Sequence, residues 1–156
     1  MNYSEDQYDE FSTHMHEKFP EMFSRPYGGI AVGAGWWPVI ESLCNQIQGH
    51  IKNINERRDR LLENNPWKHK IPETVPQVYV AQIKEKFGGL RFYYDGGDDV
   101  IDGMVRMAES WAACSCEKCG KPGEIRSGGW IRTLCDEHEA EYQRRQQERE
   151  DASALR

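Results

Sequence analysis

No stretch of this chain is apolar for long enough to cross a bilayer, which takes about 20 residues of helix, and neither end carries a lipidation signal. A membrane role is thereby set aside. Nor is there an excess of positive charge: Lys and Arg number 20 against 26 Asp and Glu, for a net charge of -6. The dense basic surface with which proteins coat nucleic-acid phosphates is missing, which argues against nucleic acid as the main partner. The opening residues are acidic and polar rather than a charged and apolar leader, so the expected compartment is the cytoplasm, where disulfides are rare. Also lacking is a nucleophile motif with a neighbouring base, since the histidines lie in unrelated segments. The expectation is a protein that is not an enzyme.

Five cysteines cannot all pair, and four residues near the C-terminus offer a better account of most of them. Cys116 and Cys119 are separated by two residues, and Cys135 and His138 repeat that gap. Such spacing lets each pair reach one tetrahedral ion from a tight turn or a first helical turn, which suits Zn2+. Between the pairs, Gly120 and Pro122 form a turn, and residues 124–126 and 130–134 read as strands around Ser127-Gly128-Gly129. A polar helix-former run over 136–149 then follows. This order resembles a treble-clef zinc finger. With four protein ligands no position stays open for water, so the expected zinc is structural. Nucleases of this type add a catalytic His, and His138 is the only histidine in the segment. Cys114, two residues before Cys116, remains an alternative ligand, whereas Cys44 sits in an apolar helical pattern as a buried thiol.

At 156 residues with 38% hydrophobic content, the chain can hold one compact body with an appended finger. The fold class expected is α+β: a long helix packed with a β-hairpin and a second helix, then the finger. The divisions expected are 1–113 for the body, 114–150 for the finger and 151–156 for a frayed tail. Residues 1–23 place Phe11, Met15, Phe19 and Met22 near helical spacing, which predicts a short docked helix ending at Pro20 or Pro26. After a glycine-rich stretch over 26–35, Pro38 fits a first helical turn. Ile40, Cys44, Ile47, Ile51, Ile54 and Leu61 then form the seam of a helix over about 37–63, with Arg58 its polar member. That seam serves either the body's core or a homodimer. A prolyl loop over 64–76 leads to strands 78–86 and 90–94 around Gly88-Gly89. This register sets Phe87 opposite Leu90, Glu85 opposite Phe92 and Ile83 opposite Tyr94 on the mainly apolar face. Lys86 with Arg91 and Lys84 with Tyr93 occupy the other. Glu85, on the apolar face, calls for a cationic or backbone partner. Asp95 to Asp99 reads as turn and cap for a second amphipathic helix carrying Val100, Ile101, Met104, Val105, Ala108, Trp111 and Ala112.

The run Lys84-Glu85-Lys86-Phe87-Gly88-Gly89-Leu90-Arg91-Phe92-Tyr93, with Cys116 to Gly120 and Gly129 to His138, resembles a group of small bacterial and phage proteins. The resemblance spans residues 35–138. It implies a gene class and a zinc finger rather than an activity, and small phage accessory proteins often counter host defence by binding a defence protein or its nucleotide signal. A matching ligand site can be drawn on chemical grounds. Gly33 and Gly35 precede a helix N-terminus, where unpaired N–H groups attract phosphate, while Trp36, Trp37 and Tyr93 offer stacking surfaces beside Arg91, Lys86 and Lys84. Glycines there also simply make turns, and paired tryptophans also fill cores. A host protein bound through the finger hairpin around Trp130, or through the basic helix end at Arg57, Arg58 and Arg60, is the alternative partner. A nucleic-acid finger using Arg126, Arg132, Arg144 and Arg145 is the third.

Overall fold

The computed structural model describes residues 5–64, 67 and 70–154. Four helices and two small sheets make up an α+β architecture. Helix α1 (Glu5–Lys18) stops just before Pro20, whose ring disfavours helical geometry in the residue ahead of it. Phe11 and Met15 from α1, with Phe19, Met22 and Phe23 from the turn after it, are buried in the main core. Strand β1 (Ile30–Ala31) and a 3-10 turn over 34–36 lead into α2 (Trp37–Glu63). This is the long helix expected from the sequence. Its seam residues Ile40, Cys44, Ile47 and Ile51 are buried inside this chain, together with Leu43, while Ile54 and Leu61 are half-buried.

Beyond α2 the expected loop 64–76 falls partly outside the described residues. Its later part is pinned by a reciprocal pair: the Val75 N–H donates to Asn55 Oδ1 at 2.9 Å, and Asn55 Nδ2 donates to the Val75 carbonyl at 3.0 Å. Strands β2 (Tyr79–Lys86) and β3 (Gly89–Asp95) form the hairpin, and β1 adds in parallel to β2, giving the order β1-β2-β3.

The hairpin register differs from the expected one by two residues. Lys86 faces Gly89, Glu85 faces Leu90, Lys84 faces Arg91 and Ile83 faces Phe92, so the turn is Phe87-Gly88. Two outside contacts centre the turn there: the Glu85 carboxylate accepts the Gly88 N–H at 2.6 Å, and Thr133 Oγ1 donates to the Gly88 carbonyl at 2.5 Å. A two-residue slip preserves the faces, because side chains alternate with a period of two. Ile83, Leu90 and Phe92 therefore still point into the core. A bulge between Val80 and Gln82 then resets the pairing to Val80 with Tyr94, which puts Val80 on the buried face as well. Both turn residues have positive φ, 53° at Phe87 and 76° at Gly88, as a type I′ turn requires.

Helix α3 (Asp99–Ala112) is capped by Asp98, whose side chain accepts the Ile101 N–H at 3.0 Å. Ile101, Val105, Ala108 and Ala112 are buried against the core. Val100 and Trp111, expected on that stripe, are exposed. The C-terminal part follows as a Cys116 to Gly120 turn, strands β4 (Glu124–Arg126) and β5 (Arg132–Leu134), and helix α4 (Asp136–Ala154). The tail expected to fray continues as helix through Ala154, with residues 155–156 outside the described set. No residue of α4 is fully buried, and spaced pairs such as Glu141 with Arg145 at 2.6 Å support it instead. Among the described residues no helix is long and apolar enough to cross a membrane.

Candidate metal centre and adjoining ligand face

Helix α3 delivers the chain into a turn that carries Cys116 and Cys119, closed by Gly120 at φ 73°. The Gly120 N–H donates to the Cys116 carbonyl and the Cys116 N–H to the Lys121 carbonyl, both at 2.8 Å. Strands β4 and β5 then return the chain so that Cys135 stands directly before α4 and His138 lies in its first turn. The four ligand atoms lie within 4.8 Å of one another. Cys119 Sγ is 3.8 Å from Cys135 Sγ, and His138 Nδ1 is 3.4 Å from Cys116 Sγ and 3.3 Å from Cys135 Sγ. Cys114 is exposed and outside this group, and Cys44 is buried in the core as expected.

The electrostatics suit a cation. Burial raises the Cys116 thiol, but N–H groups of Cys135, Cys119 and Lys118 aimed at its sulfur more than offset that and leave it below its ordinary value. Cys119 is pushed up to about 11, by burial first and then by the neighbouring Cys116. Adjacent thiolates repel, and a cation held between Cys116 and Cys119 would relieve that repulsion. Burial, and then the charge of Lys118, hold His138 below its usual value, in the neutral form that donates a lone pair to metal.

The centre is tied to the body. The Gly35 N–H donates to the Glu117 carbonyl at 2.7 Å, the Gly33 N–H donates to Glu117 Oε1 at 2.9 Å, and the Glu117 N–H donates to the Thr133 carbonyl at 2.9 Å. Trp36 Nε1 donates to the Ser115 carbonyl at 2.9 Å. These bonds correct part of the expected ligand site. The N–H groups of Gly33 and Gly35 are bound to Glu117 instead of facing an open anion cradle. A Cβ on Gly33 would lie 2.4 Å from the Glu117 carbonyl oxygen, so the glycine serves close approach of two backbones. Trp36 is fully buried, and Trp37 stacks on Phe11 with centroids 4.6 Å apart and planes at 5°. Trp36 therefore cannot serve as a surface platform, and half-buried Trp37 already has one ring face taken by Phe11.

The remaining four expected residues do gather. Lys84, Arg91 and Tyr93 share the hairpin face turned away from the core, and Lys86 follows at its tip. Lys84 Nζ lies 5.4 Å from the Tyr93 ring centroid and Lys86 Nζ 5.6 Å from that of Phe87. Arg91 Nη1 donates to the Leu90 carbonyl at 2.7 Å, which fixes one edge of its guanidinium. Among the described residues, none of Lys84, Lys86 and Arg91 forms an ion pair.

Sequence reasoning missed Glu117, whose place between two cysteines looked like filler, and it misplaced Phe87. Phe87 was expected in the apolar face but is 71% exposed at the hairpin tip. The local sequence carries no signal for this, since Gly88-Gly89 makes an equally short turn and the contacts of Gly88 with Thr133 and Glu85 decide between them. Compared with known proteins, the chain matches no family model, no curated protein and no solved structure. What it does is therefore read from its geometry.

Proposed function

We propose that Cys116, Cys119, Cys135 and His138 hold a structural Zn2+ in a treble-clef arrangement, and that the protein is a non-enzymatic binder of a small anionic, nucleotide-like ligand. Bond lengths of about 2.3 Å to sulfur and 2.0–2.1 Å to nitrogen give tetrahedral edges of about 3.8 Å and 3.6 Å. The sulfur-to-sulfur separation of 3.8 Å and the sulfur-to-nitrogen separations of 3.3 and 3.4 Å support that fit. The order of cysteine turn, hairpin and ligand-bearing helix supports the treble-clef reading. Three thiolates and an imidazole fill the coordination sphere, which suits a structural role.

The observation that carries the ligand reading is the grouping of Lys84, Arg91 and Tyr93 on one outward hairpin face, without acidic partners. A guanidinium grips phosphate in two parallel hydrogen bonds, and a phenol ring flanked by a lysine gives the sugar or base beside that phosphate a flat face to pack on. In a small phage-type protein, capture of this kind withdraws a defence signal. Calorimetry against linear and cyclic nucleotides tests the reading: Arg91→Ala abolishes the heat of binding and leaves fold and zinc content intact. A wild-type protein that gives no heat with any of them removes it.

A second reading rests on a different surface. Pro38, Val39 and Leu43 of α2 with Met104, Met107 and Trp111 of α3 line an apolar groove of about 440 Å3, and Met107 and Trp111 are largely exposed. Such a groove suits a protein partner. Stoichiometric co-purification of a host protein that is lost in Trp111→Ala, with no nucleotide bound, favours this reading over the first.

A further inference from the structure

Phe87 is the one residue other than glycine with positive φ among the described residues, and its side chain is 71% exposed. Each fact sharpens the other. A bulky residue in the left-handed region is strained, and the residues that relieve such a turn position are Gly, Asn and Asp. Strain of this kind persists where the surroundings enforce it, and it concentrates at functional sites. Burial offers no compensation here, because most of the ring faces solvent. The phenyl ring is thus held at the hairpin tip at a cost that packing does not repay.

What surrounds the tip points to a ligand. Lys84, Glu85, Lys86 and Phe87 from the hairpin and Gly129, Trp130 and Ile131 from the finger line a cleft of about 450 Å3, within the range of small-molecule sites. Trp130 is itself 67% exposed, on a loop where Gly128 and Gly129 have φ of 126° and 97°. The finger loop is fixed against the hairpin by the Thr133 to Gly88 hydrogen bond, and a Cβ on Gly88 would lie 3.1 Å from the Ile131 side chain. Glu85, the one acid in the cleft, has an oxygen committed to the Gly88 N–H at 2.6 Å. Two exposed aromatic rings and an aliphatic wall beside two lysines suit a flat, apolar ring that carries negative charge.

From this we infer that the cleft between hairpin tip and finger loop is a ring-binding subsite, in which Phe87 and Trp130 take the base of a nucleotide by stacking. This deepens the nucleotide reading and rests on it: Lys84, common to the cleft and the outward hairpin face, places the phosphate toward Arg91. The subsite is composite, since one aromatic belongs to the body and the other to the finger.

The probes are ATP, cyclic di-AMP and ribose 5-phosphate, the last carrying phosphate without a base. The wild-type protein binds at least one of the first two by calorimetry, and ribose 5-phosphate at least ten-fold more weakly. Because stacking one base contributes on the order of a ten-fold change in affinity or more, Phe87→Gly and Trp130→Ala each weaken nucleotide binding by about that factor. Neither changes the affinity for ribose 5-phosphate. Phe87→Gly also raises the denaturation midpoint, because glycine relieves the positive φ, whereas a phenylalanine kept for packing would lower it. Two results overturn the subsite: both variants binding the nucleotide as tightly as wild type, or a lower midpoint in Phe87→Gly. Loss of binding in Arg91→Ala alone would then leave the anion-binding face standing without it. A wild-type protein that binds none of the probes removes both readings together.

Discussion

A Cβ placed on Gly35 would fall 2.2 Å from the carbonyl oxygen of Cys116. The same atom would lie 2.5 Å from the Gly120 N and 2.7 Å from the Cys119 N, so the turn before α2 and the cysteine turn touch backbone to backbone. No side chain fits between them. The candidate metal centre is thus seated on the body by the stretch 33–36, through Gly33, Gly35 and Trp36, rather than hanging from the end of α3. Gly35→Ala has to push the two backbones apart, and overpacking of this sort costs about 1 to 3 kcal/mol. The expected outcome is a lower denaturation midpoint, with faster hydrogen exchange at Glu117 and Gly120. Unchanged exchange at those amides would mean that the contact is not tight in solution.

Metal content offers a second test. Cys119 is an exposed member of the ligand set, so its replacement disturbs little packing, yet three ligands hold zinc far less tightly than four. Cys119→Ser is expected to lose the ion and to loosen residues 116–138, while Cys114→Ser keeps one zinc per chain. Elemental analysis of both variants, beside far-ultraviolet dichroism, reads this directly. Full zinc content in Cys119→Ser, or loss of it in Cys114→Ser, reassigns the ligands.

Helices and strands were legible where one physical rule acted alone. The seam from Ile40 to Ile51 marks α2 because each member buries on one side, and the paired gaps of Cys116, Cys119, Cys135 and His138 mark a cluster because a two-residue gap lets each pair reach one point. Errors arose where distant segments decide. Gly88-Gly89 is the obvious turn in isolation, but Thr133, 45 residues away, bonds the Gly88 carbonyl, and Glu85 holds its N–H. Gly89 instead enters the strand, where a Cβ would lie 3.0 Å from Arg91 Nη1. Gly33 and Gly35 looked like a phosphate loop because glycine before a helix has two meanings, and only the position of Glu117 distinguishes them.

Thr133 is fully buried, and its hydroxyl is the link between finger and hairpin tip. Thr133→Val keeps the shape but removes the donor, leaving the Gly88 carbonyl without that partner; such a loss costs about 1 to 3 kcal/mol. Urea unfolding should show this decrease at constant m-value. Combining Thr133→Val with Gly35→Ala tests whether the two ends of the docking surface act independently, since separated sites add and coupled ones do not. A stability for Thr133→Val equal to wild type would show that the Gly88 carbonyl finds an equivalent donor.

Asp98 joins the start of α3 to α2: one carboxylate oxygen accepts the Ile101 N–H at 3.0 Å, and the other accepts His50 Nε2 at 2.9 Å. Burial raises its pKa, but the His50 and Ile101 hydrogen bonds outweigh that and leave it below the ordinary value of 3.8. A carboxyl depressed in the folded state stabilises fully above its unfolded pKa and loses that contribution as pH falls through the folded one. Loss of an N-cap side chain costs about 0.5 to 2 kcal/mol, so Asp98→Ala should be less stable than wild type by that amount at neutral pH. The part of this gap that comes from the charge then shrinks once the pH drops below 3.8. Denaturation of both proteins between neutral and strongly acidic pH measures the difference. A gap that stays constant across that range would mean that the carboxylate charge contributes nothing, and that the cap acts only through shape.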